Sequence, residues 1–197
     1  MRLEEAKKDQ YRRLAKREGY KSRAAYKLLQ IQRKYKIIKK GDKVLDLGCS
    51  PGGWSQVALN FVGKKGKVIG VDLKDTHLFS ENFIFLKRDI YKEGLEEEIL
   101  SLLKDKVDLL LSDLSPNLSG IWELDYEKQL DLTKRAIDIL NKVLKRKGNA
   151  VLKIFQSPYI KSLEEDLKRK FEKVLLVKPP ASRKESSELY LLCLKLK

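Results

Sequence analysis

Lys153 is the first residue that asks for chemistry. It stands inside Ala150-Val151-Leu152-Lys153-Ile154-Phe155, an otherwise apolar run. A lysine in such a run is costly unless it is paired or sits at the open end of a strand. Carboxylates occupy comparable places. Asp46 lies in the run Lys43–Leu47, Asp72 closes Lys67–Asp72, Asp89 follows Phe83–Leu86, Asp113 follows Val107–Leu111, and Glu188 starts the final run. An amine held among carboxylates is suited to holding or moving a proton. The stretch Asp46-Leu47-Gly48-Cys49-Ser50-Pro51-Gly52-Gly53-Trp54 has a different task. Its glycines let backbone approach a ligand closely, and a helix opening after them would favour an anionic group such as a carboxylate.

Those residues need elements to position them. The apolar runs at 43–47, 67–72, 83–86, 107–111, 150–155, 171–177 and 188–194 read as strands. Helices are expected over 4–18, from Ser22 as N-cap to about 35, at 53–61, 93–103, 124–146 and 160–169, with Gly148 ending the long one. Alternation of this kind predicts a mostly parallel sheet covered on both faces. Only a loop with Pro179 and Pro180 joins the last two strands, so they should pair antiparallel. That geometry brings Asp46, Asp72, Asp113, Lys153 and Glu188 to one rim, the carboxyl edge where open α/β sheets bind ligands.

A parallel sheet with one antiparallel strand near its end is the architecture of the Rossmann-like methyltransferases, whose cofactor is S-adenosyl-L-methionine. The loop reads G-x-x-x-G-G, not the G-x-G-x-x-G of dinucleotide sites, which argues against a nucleotide-dependent oxidoreductase. In the methyltransferase reading an acid at the end of the first strand meets the cofactor's amino group. Asp72, twenty residues after Gly52, takes the ribose diol, and Asp89 the adenine.

The chain resembles the FtsJ/RrmJ family of RNA 2′-O-methyltransferases. The resemblance runs through Ser22-Arg23-Ala24-Ala25-Tyr26-Lys27-Leu28, the loop Asp46–Trp54 with Ser55-Gln56, and Ser112-Asp113-Leu114-Ser115-Pro116-Asn117-Leu118-Ser119-Gly120. It continues through Lys153-Ile154-Phe155-Gln156 and Ser182-Arg183 to Ser187-Glu188-Leu189-Tyr190. It implies a catalytic tetrad of Lys27, Asp113, Lys153 and Glu188, with Lys153 as proton acceptor. It implies cofactor binding by Gly52, Trp54, Asp72, Asp89 and Asp113, and Asp46, Gly48, Pro51 and Gly53 of the same loop are expected to bind the cofactor as well. No metal is implied. Lys27 rests on the resemblance alone, since by itself it is one of several cations on a helix with Arg23 and Lys34. A lysine base needs a lowered pKa. Burial and a second cation push that way, and two carboxylates push the other way.

Composition points to the partner. The formal net charge is +15, and residues 1–40 hold fifteen Lys/Arg against four Asp/Glu. A basic block joined to a nearly balanced body favours a polyanion such as RNA. Residues 1–40 are therefore expected to be a basic helical extension that binds RNA, and 41–197 the methyltransferase domain. Arg183 and Lys184 in the loop at 178–187 are further candidates to hold RNA. Tyr11, Tyr20, Tyr26 and Tyr35 could stack on bases, though Tyr26 is expected to pack between helices. The compact form resembles enzymes that methylate a uridine ribose of large-subunit (23S-type) rRNA. The alternatives are a tRNA anticodon-loop enzyme and a catalytically silent RNA-binding module. No apolar stretch is long enough to span a membrane, no signal peptide is evident, and two distant cysteines suit a reducing cytoplasm. A monomer with no DNA partner is expected. Abundant Lys and Glu hint at a thermophilic source.

Overall fold

A computed structural model describes residues 3–183 and 185–197, with side chains from residue 10 onward. Lys184 lies outside the described residues. Seven strands form one sheet in the order β3-β2-β1-β4-β5-β7-β6: β1 Lys43–Leu47, β2 Lys67–Asp72, β3 Phe83–Lys87, β4 Val107–Ser112, β5 Leu144–Phe155, β6 Phe171–Val177 and β7 Glu188–Leu196. β7 runs antiparallel to both β5 and β6, and β1 to β5 pair parallel. The mostly parallel, Rossmann-like sheet expected from the sequence is what forms. No helix among the described residues is long and apolar enough to cross a membrane.

Helices cover both faces. α4 (Leu95–Leu103), α5 (Trp122–Val143) and α6 (Ile160–Lys170) bury Ile99, Ile139, Leu140 and Leu167 against one face. α1 (Leu3–Arg17), α2 (Ala25–Tyr35) and α3 (Gly53–Val62) close the other, where Leu28 and Ile31 share a core with Val44, Trp54 and Val57. The basic N-terminal segment is thus bonded into the body by an apolar stripe, and its tyrosines take part. Tyr11 and Tyr20 both pack on Tyr26, at 5.3 and 5.8 Å between ring centroids.

Four sequence expectations need correction. Ser22 does not cap α2; the helix begins at Ala25 with no side-chain cap, after a turn in which Ala25 N–H donates to Ser22 O. The long helix stops at Val143 instead of 146, and β5 starts at Leu144, six residues earlier than expected. Leu144 is fully buried and pairs with Val107, and the ladder then shifts register before Leu109 meets Asn149. Lys147, at φ 63°, lies in that irregular stretch. Gly148 is not a helix cap but a close approach: a Cβ there would lie 2.9 Å from Leu144 Cδ1.

Candidate active site

The antiparallel pairing of β5 with β7 sets two residues of the rim in register. Lys153 lies opposite Tyr190, and Phe155 opposite Glu188. Lys153 is 5% exposed. Its Nζ lies 3.1 Å from Asp113 Oδ1 and 3.2 Å from Glu188 Oε1. Lys27, reached from α2, is 8% exposed and places its Nζ 2.7 Å from Glu188 Oε2. The four residues implied by the resemblance therefore form one linked cluster, including Lys27, which the sequence by itself could not place.

Tyr190 is a member that sequence reasoning missed. Its hydroxyl donates to Asp113 Oδ1 at 2.9 Å and accepts from Lys27 Nζ at 3.2 Å. It joins the two ends of the cluster into a ring of contacts. The signal was available, since two residues on from Glu188 in a strand points to the same face. Behind the cluster, α5 holds the backbone of Lys153. Gln129 Nε2 donates to its carbonyl at 3.2 Å, and the Thr133 hydroxyl lies 2.8 Å from it. This is just past Ser112 with Leu152, the last β4–β5 pair.

The electrostatics settle the competition left open by the sequence. Burial pulls the Lys153 pKa down, but Asp113 and Glu188 together outweigh it and raise the pKa above the ordinary lysine value. Burial pushes Glu188 up, and Lys153 and Lys27 bring it down to about 2. Burial and the neighbouring carboxylates hold the Tyr190 phenol well above its ordinary value, so it stays a neutral donor. At rest Lys153 is held as an ammonium, Glu188 as a carboxylate and Tyr190 as a neutral phenol.

Two clefts meet at this cluster. The first, about 530 Å³, is lined by Gly48, Asp72, Asp89, Asp113, Leu114 and Pro116 among others. Gly48 has φ 76°, and a Cβ on it would come within 3.0 Å of the Leu114 backbone, so the loop after β1 lies close against the loop after β4. Asp72 accepts from the Ser50 and Lys74 backbone N–H groups at 2.9 and 2.8 Å. Asp89 accepts from Tyr91 N–H through Oδ1. Asp46 is fully buried; its Oδ2 accepts from Ser55 Oγ at 2.6 Å while Oδ1 has no partner, and burial raises its pKa to about 7. The carboxylates of Asp72, Asp89 and Asp113 make this cleft acceptor-rich. Those acceptors suit an ammonium or a ribose diol, beside the cations Lys74, Arg88 and Lys128 that also line the cleft.

Three predicted loop residues face elsewhere. Gly53 sits under the turn before α2, where a Cβ would collide with Ser22 Oγ. Trp54 is buried, donates from Nε1 to Ala24 O at 2.8 Å, and packs its ring 5.5 Å from Tyr190. The Pro51 carbonyl accepts from Thr76 Oγ1 at 3.0 Å. Gly52, at φ 113°, precedes α3 beneath the same Thr76. These contacts hold α2 and the loop after β2 against the glycine loop.

The second cleft, about 740 Å³, is lined by Arg23, Lys27, Trp122, Phe155, Arg183 and Glu188 among others. Ser115 lines both clefts. Arg23 also donates to Ala181 O at 3.0 Å, tying the N-terminal segment to the loop between β6 and β7.

Comparison with known proteins identifies the family of the chain. The model of the FtsJ-like methyltransferase family matches residues 20–196. A ribosomal RNA large subunit methyltransferase E of Nitrosopumilus maritimus is 45% identical over 194 residues, covering 98% of each chain. The protein of the same name from Methanothermobacter thermautotrophicus is 46% identical over 188 residues, covering 95% of this chain and 89% of its own. Among solved structures, a ribosomal RNA methyltransferase of Plasmodium falciparum superposes with a TM-score of 0.80 at 30% identity, over 90% of this chain and 98% of that one.

Proposed function

The chain belongs to the FtsJ-like methyltransferase family, and on that premise we propose that it transfers a methyl group from S-adenosyl-L-methionine to a ribose 2′-hydroxyl of large-subunit ribosomal RNA, a uridine by the family resemblance. The observation that carries this reading is the Lys153 amine, held between Asp113, which lines the first cleft, and Glu188, which lines the second. When bound, S-adenosyl-L-methionine supplies an electrophilic methyl on a positively charged sulfur. Asp72 and Asp89 receive its ribose and adenine. Asp113 stands between the two clefts, and Asp46 with Gly48, Pro51, Gly52, Gly53 and Trp54 shapes the loop that holds it.

The protein's part is to align the hydroxyl and remove its proton. The cofactor would supply the methyl to the ribose oxygen and keep the electron pair of the carbon–sulfur bond, and the part of this chain would be to accept the hydroxyl proton on neutral Lys153 Nζ. Neutral amine is scarce at rest because the carboxylates raise its pKa. Lys27 and any further positive charge in the site oppose them. Lys27 holds Glu188 and faces the second cleft. Residues 1–40 deliver Lys27 and present cations to the RNA backbone, and the chain acts as a cytoplasmic monomer.

The test is methyl transfer from labelled cofactor to ribosomal RNA, intact large subunits and tRNA, followed by mapping of the modified nucleotide. A ribose-methylated nucleotide in large-subunit RNA is expected. Methylation confined to a base, or to tRNA, would overturn the reading.

A further inference from the structure

The wall of the second cleft that carries Phe155 is aromatic, and methyl transfer at Lys153 gives it no task. Trp122 opens α5 and is 44% exposed, yet it is firmly placed. Its ring lies nearly parallel to Phe155, at 17° and 6.4 Å between centroids, with Tyr126 edge-on at 5.9 Å. Phe155 is buried and pairs with Glu188 in the sheet. It stands two residues beyond Lys153, on the same side of the strand and about 7 Å along it. The loop that leads into Trp122 is pinned as well. Asp125 accepts from the backbone N–H and hydroxyl of Ser119, each at 2.7 Å, and from Gly120 N–H at 3.1 Å. The sheet thus fixes Phe155, on which Trp122 packs, two residues along from the reacting amine.

We infer that Trp122 is a stacking platform for a nucleobase of the acceptor RNA strand, beside the ribose presented to Lys153. The inference rests on the proposed RNA methylation. Its support is the division of labour in one cleft. Arg23, Lys27 and Arg183 supply positive charge beside the acids Asp125, Glu185 and Glu188, and Leu118, Trp122 and Phe155 supply an apolar surface. A nucleotide has a matching division, with an anionic phosphate and a flat base that stacks on aromatic rings whatever its sequence. Beyond Trp122 the surface continues into a depression of about 570 Å³, lined by Gln156, Ser157, Pro158 and Lys178 among others. The strand therefore passes the ring instead of ending at it.

The chain has two tryptophans, and Trp54 is buried, so emission that responds to a stacked base reports Trp122. The wild-type protein is titrated with single-stranded oligouridylate, and with inorganic polyphosphate as a polyanion that has no bases. Oligouridylate should quench the emission and polyphosphate should not, and Trp122→Phe should abolish the response. In methyl-transfer assays Trp122→Ala should raise KM for RNA roughly 10- to 100-fold, more than it lowers kcat, and Trp122→Phe should restore most of the loss. A wild-type KM in Trp122→Ala, equal quenching by polyphosphate, or a dimer that Trp122→Ala dissociates would each overturn the platform. In those cases continued methyl transfer by the wild-type protein leaves the functional reading standing. Absence of transfer to any RNA by the wild-type protein would overturn both.

Discussion

The Lys153 ammonium is shared by two carboxylates, which makes it both a structural ion and the proposed base. Two substitutions separate those roles. Lys153→Ala removes the cation shared by Asp113 and Glu188, leaving Tyr190 on the one and Lys27 on the other, and breaking such a buried pair costs up to about 3–5 kcal/mol. It should abolish methyl transfer and also lower the melting temperature. Lys153→Arg keeps a cation for both carboxylates but cannot give up its proton. Its melting temperature should fall much less, while methyl transfer drops by roughly 10²- to 10⁴-fold. Full activity in the arginine variant would remove Lys153 as the base. The raised pKa of Lys153 also fixes a pH dependence. Below that pKa the neutral fraction grows tenfold per pH unit, so kcat/KM should climb through neutral pH without a plateau. Glu188→Gln removes one of the charges that raise the pKa, and the whole profile should move to lower pH. Stability runs the other way for Glu188 itself. Its pKa is depressed to about 2, so its contribution is present above the ordinary glutamate value of about 4 and is lost as pH falls from there through about 2. The melting-temperature gap between wild type and Glu188→Gln should close over that window.

The contact between α2 and the start of α3 is what brings Lys27 to the rim, and it depends on the absence of a side chain at Gly53. A Cβ there would meet Ser22 Oγ, while the Ser22 Cβ would remain at 3.4 Å, an ordinary contact. Gly53→Ala should therefore push the α2 segment outward, cost about 1–3 kcal/mol as overpacking does, and lower activity by misplacing Lys27. Adding Ser22→Ala removes the oxygen that collides and should restore both melting temperature and activity; a double variant no better than the single one would discard this account. The same region marks the limit of what the sequence makes legible. The strands were readable because buried parallel strands are short apolar runs between turn signals, and the final antiparallel pair followed from the lack of a helix between its members. Asp113, Lys153 and Glu188 could be brought to one rim by strand order. Lys27 could not, because its position depends on how α2 docks, and docking is a matter of tertiary contacts such as Gly53 on Ser22 and Trp54 Nε1 on Ala24 O. The same limit explains the end of α5. Leu144 to Lys147 continue a helical pattern, and only pairing with Val107 makes Leu144 a strand residue.

The distribution of charge over the protein and the packing of its N-terminal helices are two readings of the same residues. Residues 1–40 hold fifteen of the forty-three Lys and Arg residues, yet Ala15, Leu28 and Ile31 lie in the core on one face of the sheet. Deleting α1 would remove charge and uncover Tyr26 together, so truncation cannot tell an RNA-binding role from a packing role. Surface substitution can. Arg12 and Lys16 are exposed and lie one turn apart on α1, whereas Tyr11 and Ala15 make the anchoring contacts. Changing Arg12 and Lys16 to glutamine should leave the melting temperature unchanged, because surface positions of this kind contribute little to stability. If these cations meet phosphates, RNA affinity falls. The slope of log affinity against log salt then becomes shallower by roughly 0.7 for each phosphate of a single strand that is no longer neutralised. The effect should appear in KM for RNA and not in cofactor affinity. An unchanged salt slope in the double variant would confine RNA binding to the cleft that holds Lys27, and leave α1 as a packing element whose positive charge faces solvent.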